Sequence, residues 1–305
     1  RQLWGPRDEC PDENGMRLRD SQCGLFATGK VLRRFGIPFT YLKNCNLEDE
    51  CFAEGIDRFL RVCNVVKAFR NTRVLQISTR PFDFWSTMCN EGELLEKFGI
   101  QLSPIPMPEL TQAMKDVKEN SPEEIKEVTD YCREKMCIKV TPEQLDNVAA
   151  LKIAMTRLGK KYGCNCGAIQ CWNALQDEIG IMPCAANALC NDEGFPIACE
   201  TDIHGTITSV LVEAAAMGET RSFFADWTVR HPYNDNAELL QHCGPWPISI
   251  AKEKPTIDTP VAFDCSGSLM AQAKDGEHIS LVRFDGDNGE YSLLLGNAKT
   301  VDGPY

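Results

Sequence analysis

Residues 195–218 read FPIACETDIHGTITSVLVEAAAMG. A short apolar run, Phe195 to Cys199, leads into an acid, a turn and a second acid, and then a helical stretch that closes on Gly218. Strand, turn and helix in that order are the repeating unit of a parallel α/β layer. In such sheets the loops that follow the carboxyl ends of the strands converge above the sheet, so binding groups collect there. Glu200 occupies that position and reads as a site residue. Asp202 or Thr206 is placed to cap the helix that follows, its side-chain oxygen accepting from a free backbone N–H. His204, in the turn before the helix, reads as a surface or capping residue.

The same rhythm extends backward. A helix through residues 51–71, a strand over 72–79, a loop over 80–91, a helix over 92–100, an extended segment 101–107 and a helix from 108 follow one another. Two charged helices come next, with capping-box patterns at Ser121 and Glu124 and at Thr141 with Glu143 or Gln144. After Gly163 come a strand (166–172), a helix (172–180) and a cysteine-rich helical segment (182–194). The first 45 residues hold a turn-rich loop, GPRDECPDENG, and an amphipathic helix ended at Gly36. Beyond Pro245 the texture becomes alternating and glycine-punctuated, which indicates antiparallel β with a hairpin at DGDNGE, residues 285–290. The expected fold is α/β, with Rossmann-like parallel layers followed by a mostly antiparallel, barrel-like β domain. The divisions expected are 1–45 as the remnant of an N-terminal α/β domain, 46–213 as a central α/β domain, and 214–305 as the C-terminal domain.

A second acid stands at the end of RSFFADWT, residues 221–228, which reads as the next strand of a βαβ crossover. That topology would put Asp226 on the same sheet edge as Glu200. Two carboxylates brought together repel, so such a pair shares a proton or holds a divalent cation. In NAELLQHCGPWP, residues 236–247, His242 falls at the end of an expected short helix and could complete an oxygen-rich site with imidazole, a set suited to manganese or a similar ion. His231 competes for that role. Trp227 and Trp246 are candidates either to stack on a sugar or to fill the core or rim.

Sixteen cysteines are spread through the chain and read as mostly reduced and buried. The cluster Cys164, Cys166 and Cys171 has no second CxxC half and reads as small core residues of a strand. A formal charge of −12 disfavours nucleic acid and anionic membranes and suits a small neutral or cationic substrate. No apolar run is long enough for a transmembrane helix. No GxGxxG follows a strand and no HExxH occurs, which removes support for a dinucleotide oxidoreductase and for a zincin-type hydrolase.

The motifs RLRDSQCGLF (17–26), CNEGELLEKFGI (89–100), ACETDIHG (198–205), FFADWTVR (223–230) and QHCGPWP (241–247), in that order, resemble the L-fucose and L-arabinose isomerase superfamily over most of the chain. The resemblance implies a metal-dependent aldose–ketose isomerase acting on a free monosaccharide. It implies that Glu200 and Asp226 bind a divalent metal, commonly manganese, and transfer the proton. The third ligand is His242 if the arabinose-type pattern holds. The fucose-type pattern instead uses a histidine near the C-terminus, and this chain ends at Tyr305 without one. The resemblance further implies a cytoplasmic homo-oligomer, and that much of an N-terminal domain and a C-terminal piece lie outside the 305 residues. A non-catalytic sugar-binding α/β protein is the alternative.

Overall fold

The computed structural model describes residues 1–7, 14, 20–260 and 264–303. Residues 8–13 and 15–19, which carry much of the expected N-terminal loop and the start of the RLRDSQCGLF motif, lie outside the described residues. Contacts divide the chain into two compact units, Arg1–Val66 and Lys67–Tyr305. In the first, β1 (Gln2–Leu3) pairs in parallel with β2 (Thr40–Tyr41), alongside α1 (Ser21–Arg34) and most of α2 (Glu50–Arg70). Trp4 meets Phe52 edge-on at 4.9 Å there.

The second unit opens with β3 (Arg73–Ile77), α3 (Glu91–Phe98), β4 (Gln101–Ile105), α4 (Met107–Asn120), α5 (Pro122–Lys135), β5 (Cys137–Ile138) and α6 (Pro142–Tyr162). There follow β6 (Cys166–Ile169), α7 (Ala174–Ile179), α8 (Cys184–Asp192), β7 (Ile197–Ala198) and α9 (Ile203–Ala215). Strands β4-β3-β6-β7 form one parallel sheet in that order. Alternation along the strands divides their side chains between two cores. Leu75, Ile77 and Ile169 face a layer built from α4, α5, α6 and α8, while Val74, Cys166 and Ala168 face Leu94, Ile203, Ile207 and Val210 of α3 and α9. A sheet covered on both faces must be apolar on both, which is why β6 is buried at every position.

Helix boundaries follow local chemistry. Asn90 accepts from the N–H of Glu93 at 3.2 Å to start α3, and Gly99, at φ 75°, ends it. The expected capping box is present on α6, where Thr141 Oγ1 accepts from Gln144 N–H and Gln144 Oε1 accepts from Thr141 N–H. The one expected on α5 is absent. Arg157 donates to both Ser121 Oγ, at 2.9 Å, and Glu124 Oε1, at 2.6 Å, so both members of that pair are engaged elsewhere.

Beyond α9 come β8 (Asp226–Arg230), β9 (Glu238–Gln241), β10 (Thr256–Asp258), β11 (Ser268–Met270), β12 (His278–Asp287) and β13 (Glu290–Lys299). Antiparallel pairing joins β8 to β9, β10 to β11 and β12 to β13. The last hairpin turns at Asn288 and Gly289, both at positive φ, as the sequence DGDNGE requires. Three local readings are corrected. RSFFADWT is not a fifth parallel strand: residues 219–225 carry no helix or strand, and Asp226 opens the exposed ribbon β8–β9. His242 follows a strand, not a helix. His204 lies inside the first turn of α9 and is buried, not at the surface.

His204 is enclosed because the β12–β13 hairpin packs across α9. Phe284 sits in the second core and its N–H donates to Thr208 Oγ1 at 2.9 Å. His204 Nδ1 lies 2.9 Å from Asp285 Oδ1, while its Nε2 has no hydrogen-bond partner among the described residues. Burial holds the imidazole below its ordinary pKa, against the opposing pull of Asp285 and Asp202. A depressed folded value means that stability is intact above the unfolded pKa near 6.5 and is lost as pH falls through the folded value. Acidification from about pH 7 to about pH 5 is therefore expected to lower the urea midpoint less in His204→Gln than in the parent chain. Equal losses in the two proteins would contradict this assignment.

Candidate active site

Glu200 is aimed by an unusual backbone. Glu200 and Thr201 both adopt left-handed φ, 54° and 53°, directly after β7. For side-chain-bearing residues each such placement costs on the order of 1–2 kcal/mol, so the turn needs support, and each peptide group finds it. Glu200 N–H donates to Cys171 Sγ at 3.3 Å, Thr201 N–H to Ile169 O at 3.0 Å and Asp202 N–H to Cys199 O at 2.9 Å. Thr201 Oγ1 donates to Thr79 O at 3.0 Å, and Thr87 Oγ1 to Glu200 O at 3.4 Å. The loops after β3, β6 and β7 are thus tied together at the carboxyl edge of the sheet. Asp202 then caps α9, its Oδ1 accepting from Gly205 N–H at 2.8 Å, and Arg283 of β12 grips the same carboxylate at 2.5 and 3.3 Å.

The two other expected residues are placed by a different route from the crossover. Ribbon β8–β9 pairs Asp226 with Gln241, so the start of one strand lies beside the residue preceding His242. Phe224 N–H donates to Pro245 O at 3.2 Å, and the Phe224 ring meets His242 edge-on at 5.1 Å. His242 Nε2 lies 3.5 Å from Glu200 Oε2 and 3.9 Å from Asp226 Oδ2. The imidazole is 2% exposed, Glu200 11% and Asp226 70%, which sets Asp226 at the open side. Burial opposes a charge on His242, but its hydrogen bonds to Cys243 and Glu200 and their charges outweigh it and raise its pKa to about 10. This spot therefore favours positive charge.

One imidazole and two carboxylates form a hard-to-borderline donor set, which suits manganese or a similar divalent ion. Spacings of 3.5 and 3.9 Å from Nε2 are close to the roughly 3–4 Å separating neighbouring ligands whose bonds to one ion are about 2.0–2.2 Å long. His242 Nε2 is thus near both carboxylates, but among the described residues the ligand atoms that all lie within 4.8 Å of one another are those of Cys171, Cys199 and Glu200, so Asp226 stands farther from Glu200 than from His242. His231 is not part of this group: it sits in the turn of the ribbon, its Nδ1 accepting from Tyr233 N–H at 3.2 Å. Trp246 is buried and donates to Leu269 O, which makes it a core residue, while Trp227 is exposed.

The family model for the fucose/sulfoquinovose isomerase N-terminal domain matches residues 2–70. The sulfoquinovose isomerase of Alkalicoccus urumqiensis is 25% identical over 305 residues, covering 99% of this chain and 67% of its own length. That of Priestia aryabhattai is 24% identical with the same coverage, and that of Clostridium sp. (strain MSTE9) is 25% identical over 82% of this chain and 55% of its own length. These matches support a place in the fucose isomerase-like superfamily, at low identity. The relatives so named support an aldose–ketose sugar isomerase.

Other neighbours of the candidate site escaped the sequence reading. Cys171 donates to Glu200 Oε1 at 3.4 Å, Asn187 Nδ2 donates to Cys199 Sγ at 3.4 Å, and the Cys184 and Cys243 sulfurs are 3.5 Å apart. Cys243 Sγ in turn lies 3.9 Å from His242 Nδ1. Hydrogen bonds with Cys199 and Cys243 lower the pKa of Cys184; Cys199 is raised by its bonds with Cys171 and then Cys184, and Cys243 by its bond with Cys184. Of the cluster Cys164, Cys166 and Cys171, the member near the site is Cys171; Cys166 packs in the core and Cys164 precedes β6. Only the adjacency of Cys199 to Glu200 was a usable signal, because the others come from separate segments.

The segment holding His242 rests against α8 through Gly244. A Cβ there would lie 2.3 Å from Cys184 Cβ and 2.5 Å from its Cα. Gly244→Ala is expected to lower stability by about 1–3 kcal/mol, read as a shift in urea midpoint, and to impair turnover by displacing His242. Unchanged stability would refute this packing.

Proposed function

We propose that this protein is an aldose–ketose isomerase of a free monosaccharide that uses a divalent cation, manganese being the best match, held by Glu200, Asp226 and His242. The observation that carries the proposal is the approach of both carboxylates to one buried imidazole at the carboxyl edge of the sheet. Aldose–ketose conversion moves a proton from C2 to C1 of the open-chain sugar through an enediolate. The cation supplies polarisation of the sugar oxygens and stabilises enediolate charge. Glu200 and Asp226 provide two carboxylates that each approach His242, able to remove and return the proton. The Cys171 thiol engages Glu200 Oε1 and the imidazole faces Oε2, so the carboxylate has a fixed orientation. Glu200→Gln and Asp226→Asn should each reduce kcat by about 10²–10⁴ with circular dichroism unchanged. Near-parental turnover by either variant would sink its assignment. Manganese uptake without ketose formation from any aldose would favour the non-catalytic sugar-binding reading.

The relatives' name places sulfoquinovose at the head of a substrate panel that also includes L-fucose and L-arabinose. Its sulfonate is an anion, opposite to the substrate preference read from net charge, and it needs a local cation. Arg80 follows Thr79, whose carbonyl is bound by Thr201 next to Glu200. Through Nη1 it donates to Pro81 O and Phe82 O, and its guanidinium lies 5.0 Å from the Trp85 ring centroid. A charged hydrogen bond from Arg80 to a sulfonate is worth about 1.5–3 kcal/mol. Arg80→Gln should accordingly raise KM for the sulfonated sugar by about tenfold or more, and leave neutral aldoses unaffected. An equal effect on both kinds of sugar would remove Arg80 from this role. Among the described residues no helix is long and apolar enough to cross a membrane, and the proposal includes a cytoplasmic homo-oligomer.

A further inference from the structure

Glu200 has two faces. Its Oε2 looks to His242, and its Oε1 looks to Cys171. Cys199 joins the second face: ligand atoms of Cys171, Cys199 and Glu200 all lie within 4.8 Å of one another, and all three residues are buried. Cys171 comes from the segment after β6 and Cys199 from the end of β7, so two adjacent strands of the rigid sheet fix both sulfurs. Two sulfurs and one carboxylate oxygen make a soft-to-borderline donor set, unlike the imidazole and two carboxylates on the other side. We infer that Cys171, Cys199 and Glu200 Oε1 form a second cation site, selective for zinc or a cadmium-like ion, which shares Glu200 with the site at His242.

Binding there releases one proton from each thiol to solvent as each sulfur–metal bond forms, with no change of oxidation state. The two thiolates and the carboxylate then carry three negative charges toward a dication. A soft ion so held draws Glu200 toward the sulfurs and away from His242, and the sugar reaction stops. In the absence of such an ion the thiols hold Glu200 in place by hydrogen bonds. The loss of turnover rests on the proposed function; the binding itself does not.

Cadmium tests both, because thiolate coordination gives an ultraviolet charge-transfer band that is independent of sugar turnover. Titrating the metal-stripped full chain with cadmium should develop the band to one equivalent. Cadmium added to the manganese-loaded enzyme should lower isomerase activity at least about tenfold, an energy of about 1.4 kcal/mol. Cys171→Ser and Cys199→Ser should each lose about half of the band, one of two thiolates, and the double variant all of it. Cys184→Ser should keep the band, because the Cys184–Cys243 pair is the rival sulfur site. Circular dichroism checks the fold of each variant, and the single variants carry the test if the double one does not fold. No band in the parent chain, a band that survives in either Cys171→Ser or Cys199→Ser at full strength, or a band lost in a folded Cys184→Ser would overturn the inference. A band with undiminished turnover would leave the cation site standing and remove its effect on Glu200.

Discussion

Two consecutive left-handed residues, Glu200 and Thr201, are the constraint on which the site depends. Backbone in that region is costly for residues with a Cβ and persists where surrounding structure over-determines it. Here five hydrogen bonds from β6, the β3 loop and the turn itself do so. The consequence is geometric: the chain leaves β7, points Glu200 across the sheet edge, and within two residues starts α9 from the Asp202 cap. Relaxing Glu200 to the extended region would carry its carboxylate away from His242.

The rest of the site is brought to Glu200 from the other end of the unit. The parallel sheet supplies one carboxylate, while an antiparallel ribbon supplies the second and the imidazole. Antiparallel pairing sets Asp226 beside Gln241, so a single hairpin register delivers both Asp226 and His242. Packing against α8 through Gly244 and against Phe224 fixes where the ribbon lands. The hairpin β12–β13 closes α9 from its other side, and its Arg283 holds Asp202, tying cap and hairpin together.

Much of this was legible in the residues. Glu200 at a strand end, Asp202 as a cap, Thr141 with Gln144, and the Asn288–Gly289 turn each follow from local chemistry with a short range. The sequence reading set Asp226 beside Glu200 through a parallel crossover, whereas an antiparallel ribbon carries it to 3.9 Å from His242. A buried parallel strand reads as near-continuous apolar sequence, whereas Asp226, Thr228 and Arg230 alternate with Trp227 and Val229, the pattern of an exposed antiparallel ribbon. His204 was misread because the residues that bury it, Phe284 and Asp285, lie in a hairpin distant in sequence. The sulfurs around Glu200 were invisible for the same reason: Cys171, Cys184, Cys199 and Cys243 belong to separate segments, and only tertiary packing collects them.

If Glu200, Asp226 and His242 act as a single site, manganese should report it. Crystals of the protein soaked in manganese, with diffraction recorded on either side of the manganese absorption edge, should show one anomalous peak bonded to His242 Nε2 and to both carboxylates. A peak elsewhere, or one that persists unchanged in a Glu200→Gln crystal, would contradict the assembly of the site around the left-handed turn.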